Sequence, residues 1–182
     1  MTARQIFTRA MKTVRILWAA LVFSNVLLGV VTFIVPSQAS RPPEATLVYM
    51  LAAVALSVVV SSFVVPARMR AAYLANKRVE TTPPEPTATG PALARFMDPV
   101  KAARRAMGGA FTPLIVSIAL SEAVSMVGLQ LHMLGASMTV STAFIATGTL
   151  LAAIRFPTFE RLVGPFERAH GASFAASEGG SY

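Results

Sequence analysis

Charged residues vanish from three stretches of this chain. None occurs in 16–40 or in 45–67, and between Arg105 and Arg155 the only one is Glu122. A helix crossing ~30 Å of hydrocarbon needs about 20 largely apolar residues. The first two stretches therefore hold one span each, and the third holds two. The pattern predicts spans at 16–36, 45–66, 111–134 and 138–156. A soluble bundle would need a polar face on each helix, and none of the four segments has one. The expected fold class is an all-α integral membrane protein, with four transmembrane helices paired as two hairpins, 16–66 and 111–156.

The segments between and around the hairpins are of a different character. Residues 1–15 are a basic N-terminus, 67–110 a basic, Pro-rich loop, and 157–182 a tail. Proline interrupts the helical hydrogen-bond ladder, so Pro66 is expected to close span two. After it, "ARMRAAYLANKRV" suits a short helix lying at the membrane interface. "ETTPPEPTATGPA" reads as an extended linker. "DPVKAARRAMGG" reads as a second short helix, with Asp98 as cap and Pro99 at its first position. The tail repeats Phe-Glu-Arg at 159–161 and 166–168, and its last dozen residues are expected to be disordered. A basic start followed by an apolar run and "SQAS" resembles a secretory signal. The run is too long for a signal core of 7–15 residues, so span one is expected to remain uncleaved.

Composition agrees with the pattern: 54% of residues are hydrophobic, 13% are charged, and the mean hydropathy is +0.61. The net charge of +8 would suit nucleic acid, but the positions of the charges argue otherwise. Arg4, Arg9, Lys12 and Arg15 precede span one, and eight further Lys and Arg fall between spans two and three. Arg155, Arg161 and Arg168 close span four and enter the tail, and only Arg41 falls on the other side. This asymmetry follows the positive-inside rule. It predicts a bacterial-type inner membrane protein with both termini and the central loop cytoplasmic, and no nucleic-acid role. Arg68, Arg70, Lys77, Arg78, Lys101, Arg104 and Arg105 are the candidate contacts to anionic lipid head groups. The chain has no cysteine, which excludes disulfides, thiolate metal sites and cysteine nucleophiles. Paired carboxylates, a His cluster with metal spacing, a phosphate-cradling glycine loop and a nucleophile motif are all missing from the sequence. No enzyme, cofactor or metal is expected.

Glu122 is the candidate functional residue. It lies near the middle of span three, where an ionised carboxylate costs roughly 2.5–3.5 kcal/mol on insertion scales. No Lys or Arg is expected at the same depth, so desolvation should favour the neutral acid. Glu122 is then a proton carrier or, ionised, the holder of a cation. The competing reading is a neutral glutamate hydrogen-bonded to Asn25 or a serine, locking the bundle. Ser117, Ser121, Ser125, Gly128 and His132 form one narrow stripe on span three, with Glu122 at its edge. Ala53, Ser57 and Ser61 form a similar stripe on span two. Such small-residue stripes let helices pack closely in lipid.

"ALSEAVSMVGL", residues 119–129, resembles the carboxylate-bearing helix of the rotor-ring proteolipid, subunit c, of rotary ATP synthases. The shared letters are Glu122, Ala123, Gly128 and Leu129, and the likeness covers about a dozen residues. The resemblance implies that Glu122 is an ion-binding carboxylate, with Ser121 and Ser125 lining its site. Asn25 of span one is added to this candidate set for its matching depth. Two functional classes follow. One is an ion-handling subunit of a larger membrane assembly, formed with other subunits or with copies of itself. The other is a non-catalytic structural or accessory membrane subunit.

Overall fold

The computed structural model describes residues 2–37, 43–76, 79–82 and 94–174. Among these the chain is all-helical, with no strand beyond isolated bridges. The helices are α1 (Ala3–Ile34), α2 (Ala45–Asn76), α3 (Pro99–Met133), α4 (Met138–Ala153) and α5 (Phe159–His170). The first three are long and apolar enough to cross a membrane. With 16 residues, α4 is also apolar but shorter. It extends about 24 Å at 1.5 Å per residue, and Pro157 biases the preceding residue away from helix.

The long helices revise the expected boundaries. The segment after Pro66 is no separate interfacial helix, because α2 continues through that proline to Asn76. "DPVKAARRAMGG" likewise forms the start of α3, which runs on through Pro113. Asp98 does cap it, accepting a hydrogen bond from the Lys101 backbone N–H at 2.9 Å.

The chain divides into two compact units, to both of which α1, α2 and α3 contribute. One comprises 16–67 and 114–156. It is a bundle of four helical segments in which α1 and α3 run parallel, while α2 and α4 run against them. Ala55 of α2 packs with Val127 and Leu131 of α3, and Val140 and Phe144 of α4 join that cluster. The outer surface is apolar: Phe33, Ile34, Tyr49 and Leu56 are 65–74% exposed. An apolar surface of this extent requires hydrocarbon or protein around it. Ala53 and Ser57 of the α2 stripe belong to this outer surface and Ser61 is half-buried, since α2 buries Ala55, Ser62 and Pro66 instead. The packing role expected of the stripe within the bundle falls to the opposite face, which meets the α3–α4 cluster.

The other unit comprises 1–15, 68–113 and 157–182. Its sequence ranges hold every Lys and Arg of the chain except Arg41 and Arg155. The start of α1 is amphipathic, burying Ala3, Ile6, Phe7, Met11 and Val14 while Arg4, Arg9, Lys12 and Arg15 face outward. The repeated Phe-Glu-Arg lies on α5, and its phenylalanines, seven positions apart, share one face. Phe159 meets the Phe7 ring edge-on at 5.1 Å, and Phe166 lies tilted beside Phe96 at 5.8 Å. Thr158 caps α5 by accepting from the Arg161 N–H, and Gly171 ends it at φ 59°, a left-handed conformation suited to glycine. The tail does not dissolve at 171 as expected. Phe174 is fully buried against Phe7 and Phe96, and its N–H donates to Glu167 Oε1 at 2.8 Å. Residues 175–182 lie outside the described residues.

Tyr73 is held inside this unit. Its hydroxyl donates to the Arg105 carbonyl at 3.0 Å, and its ring lies across Gly109. A Cβ at 109 would come within 2.5 Å of Tyr73 Cε1, and a ring held at both ends has little room to yield. Gly109→Ala is expected to cost about 1–3 kcal/mol by overpacking, read as a lowered midpoint in thermal unfolding of the detergent-solubilised chain. Tyr73→Leu in the same chain should recover part of the loss.

Candidate functional site

The serine stripe on α3 arises from helical periodicity alone. Ser117, Ser121, Ser125, Gly128 and His132 recur every three or four residues, and all of them are buried. Glycine at 128 lets α4 come close, since a Cβ there would stand 2.7 Å from the Ser141 carbonyl oxygen. Gly148 of α4 does the same opposite Ser121 and Ser125.

Glu122 stands one position away, so its side chain is turned by about 100° from the Ser121 direction. Its helical neighbours Ala119 and Met126 are exposed, and Glu122 itself is half-buried. The carboxyl therefore lies at the outward edge of α3, on the side towards α1. There the Ser24 hydroxyl donates to Glu122 Oε1 at 2.8 Å. This bond suits either an ionised carboxylate or the carbonyl oxygen of the neutral acid. Among the described residues Glu122 makes no ion pair.

The four expected site residues do not converge. Asn25 is fully buried, but its Nδ2 donates to the Leu21 carbonyl at 2.9 Å and its Oδ1 has no partner. Ser125 donates across to the Ile145 carbonyl of α4 at 3.3 Å. Ser121 donates to the Ser117 carbonyl at 3.0 Å and accepts from Arg155 Nη1. Among the described residues, it is Ser24, the immediate neighbour of Asn25, that reaches Glu122.

Arg155 is the residue that sequence reasoning missed. It follows α4, and its side chain turns into the bundle. Nη1 donates to the Ser117 carbonyl at 2.8 Å, and Nη2 donates to the Ser62 hydroxyl at 2.7 Å and the Ser62 carbonyl at 3.2 Å. The guanidinium also lies 4.8 Å from the centre of the Phe63 ring, a cation–π distance. These contacts correct the expectation that no basic residue reaches the depth of Glu122, because Arg155 touches the residue immediately before it. They also explain why α2 continues through Pro66. Proline has no N–H, so the carbonyl four residues earlier loses its helical donor. That carbonyl belongs to Ser62, and Arg155 supplies the missing hydrogen bond. An arginine at the end of a span reads in sequence as an interfacial anchor. Its inward turn depends on a partner 93 positions away.

His132 is buried, with Nε2 2.7 Å from the Val35 carbonyl. A carbonyl only accepts, so Nε2 donates in this bond, and Nδ1 is buried without a partner. The residue ties α3 to the end of α1.

The candidate lipid-binding residues divide by exposure. Arg68, Lys101 and Arg104 are exposed, while Arg70 and Arg105 are half-buried. Burial lowers the Arg70 guanidinium from its ordinary value, and its Nε is an unpartnered donor. Lys77 and Arg78 lie outside the described residues. Among the described residues no group of three or more His, Asp or Glu is placed to hold a metal ion. Comparison with family models, with curated proteins and with solved structures finds no match to this chain.

Proposed function

We propose that the chain is a four-span subunit of a larger membrane assembly, in which Glu122 takes up and releases a proton or holds a cation. The basic segments 1–15, 67–110 and 157–182 lie on the cytoplasmic side of a bacterial-type inner membrane, against anionic head groups. The partners are other membrane subunits or copies of this chain, and the protein has no catalytic chemistry of its own. The observation that carries this reading is the place of Glu122 at the outward edge of α3, bonded to a single hydroxyl. A carboxyl sealed inside the bundle could not exchange a proton with a neighbouring subunit. At this edge a neighbour reaches it directly. The local likeness to the rotor-ring carboxylate helix supports the same role.

The structural reading also has an observation in its favour: the Ser24–Glu122 bond ties α1 to α3. Glu122→Gln separates the two, since it keeps the shape and the acceptor oxygen but cannot ionise. The purified protein should be labelled at Glu122 by dicyclohexylcarbodiimide at neutral pH, a reagent that attacks protonated carboxyls in apolar surroundings. In vesicles containing the assembly, Glu122→Gln should melt like the parent but lose proton flux followed by a pH dye. Absence of labelling together with unchanged flux would establish the structural role instead.

A further inference from the structure

Two of the candidate lipid contacts, Lys101 and Arg105, share a cleft with carboxylates. The cleft measures about 220 Å³ and is lined by Glu80, Asp98, Lys101 and Arg105, with Val79 and Met97 as its apolar part. It forms where residues 79–82 run antiparallel to 95–97, beside the start of α3. There the Met97 N–H donates to the Glu80 carbonyl at 3.3 Å, and the Thr82 N–H to the Arg95 carbonyl at 2.8 Å. This pairing brings Glu80 to the same cleft as Asp98, while helical spacing sets Lys101 and Arg105 one turn apart on α3.

Opposite charges in one cleft can neutralise each other by pairing. Among the described residues the Glu80 and Lys101 side chains make no hydrogen bond or ion pair, and Asp98 uses Oδ1 to accept from the Lys101 backbone N–H. A plain anion would be repelled by Glu80 and Asp98, and a metal ion by Lys101 and Arg105. The occupant that satisfies both halves carries an ammonium and an anionic group at once. The volume lies below the roughly 300–1,000 Å³ of sites for drug-sized ligands, which limits the occupant to a small group.

The order of the charges narrows it further. At 1.5 Å per residue, Arg105 lies about 9 Å along α3 from Phe111, Lys101 about 15 Å and Asp98 about 20 Å. The cations are therefore nearer the apolar run and the carboxylate farther out. A zwitterionic phospholipid has the same order, with phosphate next to the glycerol and ammonium beyond it. A glycerol head lacks the ammonium, and a serine head adds a carboxylate against Glu80 and Asp98. A primary ammonium has three N–H donors for these two carboxylates, and the trimethylated ammonium of choline has none.

We propose that this cleft is a selective site for the phosphoethanolamine head group, with the phosphate on Arg105 and Lys101 and the ammonium on Glu80 and Asp98. The lipid source rests on the reading that 67–110 meets the head groups, whereas the charge match does not.

The test uses the purified full chain in detergent, followed by native mass spectrometry as dihexanoyl lipids with ethanolamine, choline or glycerol heads are added. Lipids supplied from solution reach the cleft whichever way the chain faces in a membrane. Failure here therefore strikes the site and leaves the role of Glu122 to its own labelling test. The ethanolamine lipid is expected to bind about tenfold tighter than the other two, the effect of one hydrogen bond between charged groups. Glu80→Gln should reduce the preference over the glycerol lipid, and adding Asp98→Asn should erase it. Asparagine still caps α3, so both variants should melt like the parent. Lys101→Gln should weaken binding of all three lipids. Free phosphoethanolamine should compete less well than the lipid, and equal competition would uphold the head-group chemistry while assigning the site to the soluble compound. Equal binding of the ethanolamine and glycerol lipids would overturn the proposal, as would a preference that outlasts both carboxylate substitutions.

Discussion

Arg155→Met is expected to destabilise the protein by about 3 kcal/mol, following from the loss of hydrogen bonds to a charged group worth roughly 1.5–3 kcal/mol each. The guanidinium joins α2, α3 and α4 through Ser62, Ser117 and Ser121. Methionine matches its length and apolar stem but donates nothing. Ser117 keeps one donor, since the Ser121 hydroxyl still reaches its carbonyl. The Ser62 carbonyl has no such reserve, because Pro66 cannot serve it. The dependence on Pro66 makes the prediction specific. In a Pro66→Ala background the helix regains its own N–H at position 66, and the Ser62 carbonyl no longer relies on arginine. Arg155→Met should then cost less by about 1 kcal/mol, a coupling that a double-mutant cycle measures. Unfolding in mixed micelles, followed by Trp18 emission and by helical circular dichroism, gives all four corners of the cycle. Arg155→Lys should fall between the parent and Met, since a single ammonium cannot serve Ser62 and Ser121 with the planar fork. Strict additivity of the two substitutions would show that the Ser62 carbonyl finds its donor elsewhere.

Gly148→Ala is the second large effect, expected to cost about 3 kcal/mol, at the upper end of ordinary overpacking. A Cβ on this residue would collide with Ser125 Oγ, and it would stand 2.5 Å from the Ser121 carbonyl oxygen and 2.9 Å from the Ser125 backbone nitrogen. Two of these three atoms are α3 backbone, which a rotamer change cannot move. The helices must therefore separate, and the Ser125 bond to the Ile145 carbonyl lengthens with them. Gly29→Ala is the control on the neighbouring helix. A Cβ there meets Ile145 Cγ2 at 3.6 Å, an ordinary contact, and the substitution should be close to neutral. Thermal melts of the two variants side by side decide the matter. Equal melting would mean that α3 and α4 are less closely packed than these distances require.

Together these two sites show how the bundle is held without a hydrophobic drive between its helices. Lipid chains are as apolar as leucine, so association in a bilayer depends on close packing and on interhelical hydrogen bonds. Gly128 and Gly148 provide the first between α3 and α4. Arg155 and the Ser24–Glu122 pair provide the second, and they do so from different faces of α3. Ser121 and Glu122 are adjacent in sequence, yet they serve different neighbours because successive helical positions point about 100° apart. In the proposed role this segregation matters. It leaves the carboxyl at the outer edge with one hydroxyl partner, while the cation is enclosed by serines.

The position of the apolar segments, the concentration of charge outside them and the inward face of α3 could all be read from the sequence. Each depends on a local property: the hydropathy of a window about as long as the membrane is thick, or a periodicity that any α-helix imposes. The Asp98 cap of α3 is local in the same sense. Tertiary structure alone decided that α2 passes through Pro66, since the compensating donor lies 93 residues away. It alone decided that Ser24 rather than Asn25 meets Glu122, across 98 residues, and that Ala53 and Ser57 of the α2 stripe face outward while Phe174 turns back into a core. Hydropathy sums along the chain, so sequence carries it whole. The partner of a polar group is chosen by which helices meet and at what rotation, and no window of sequence contains that choice.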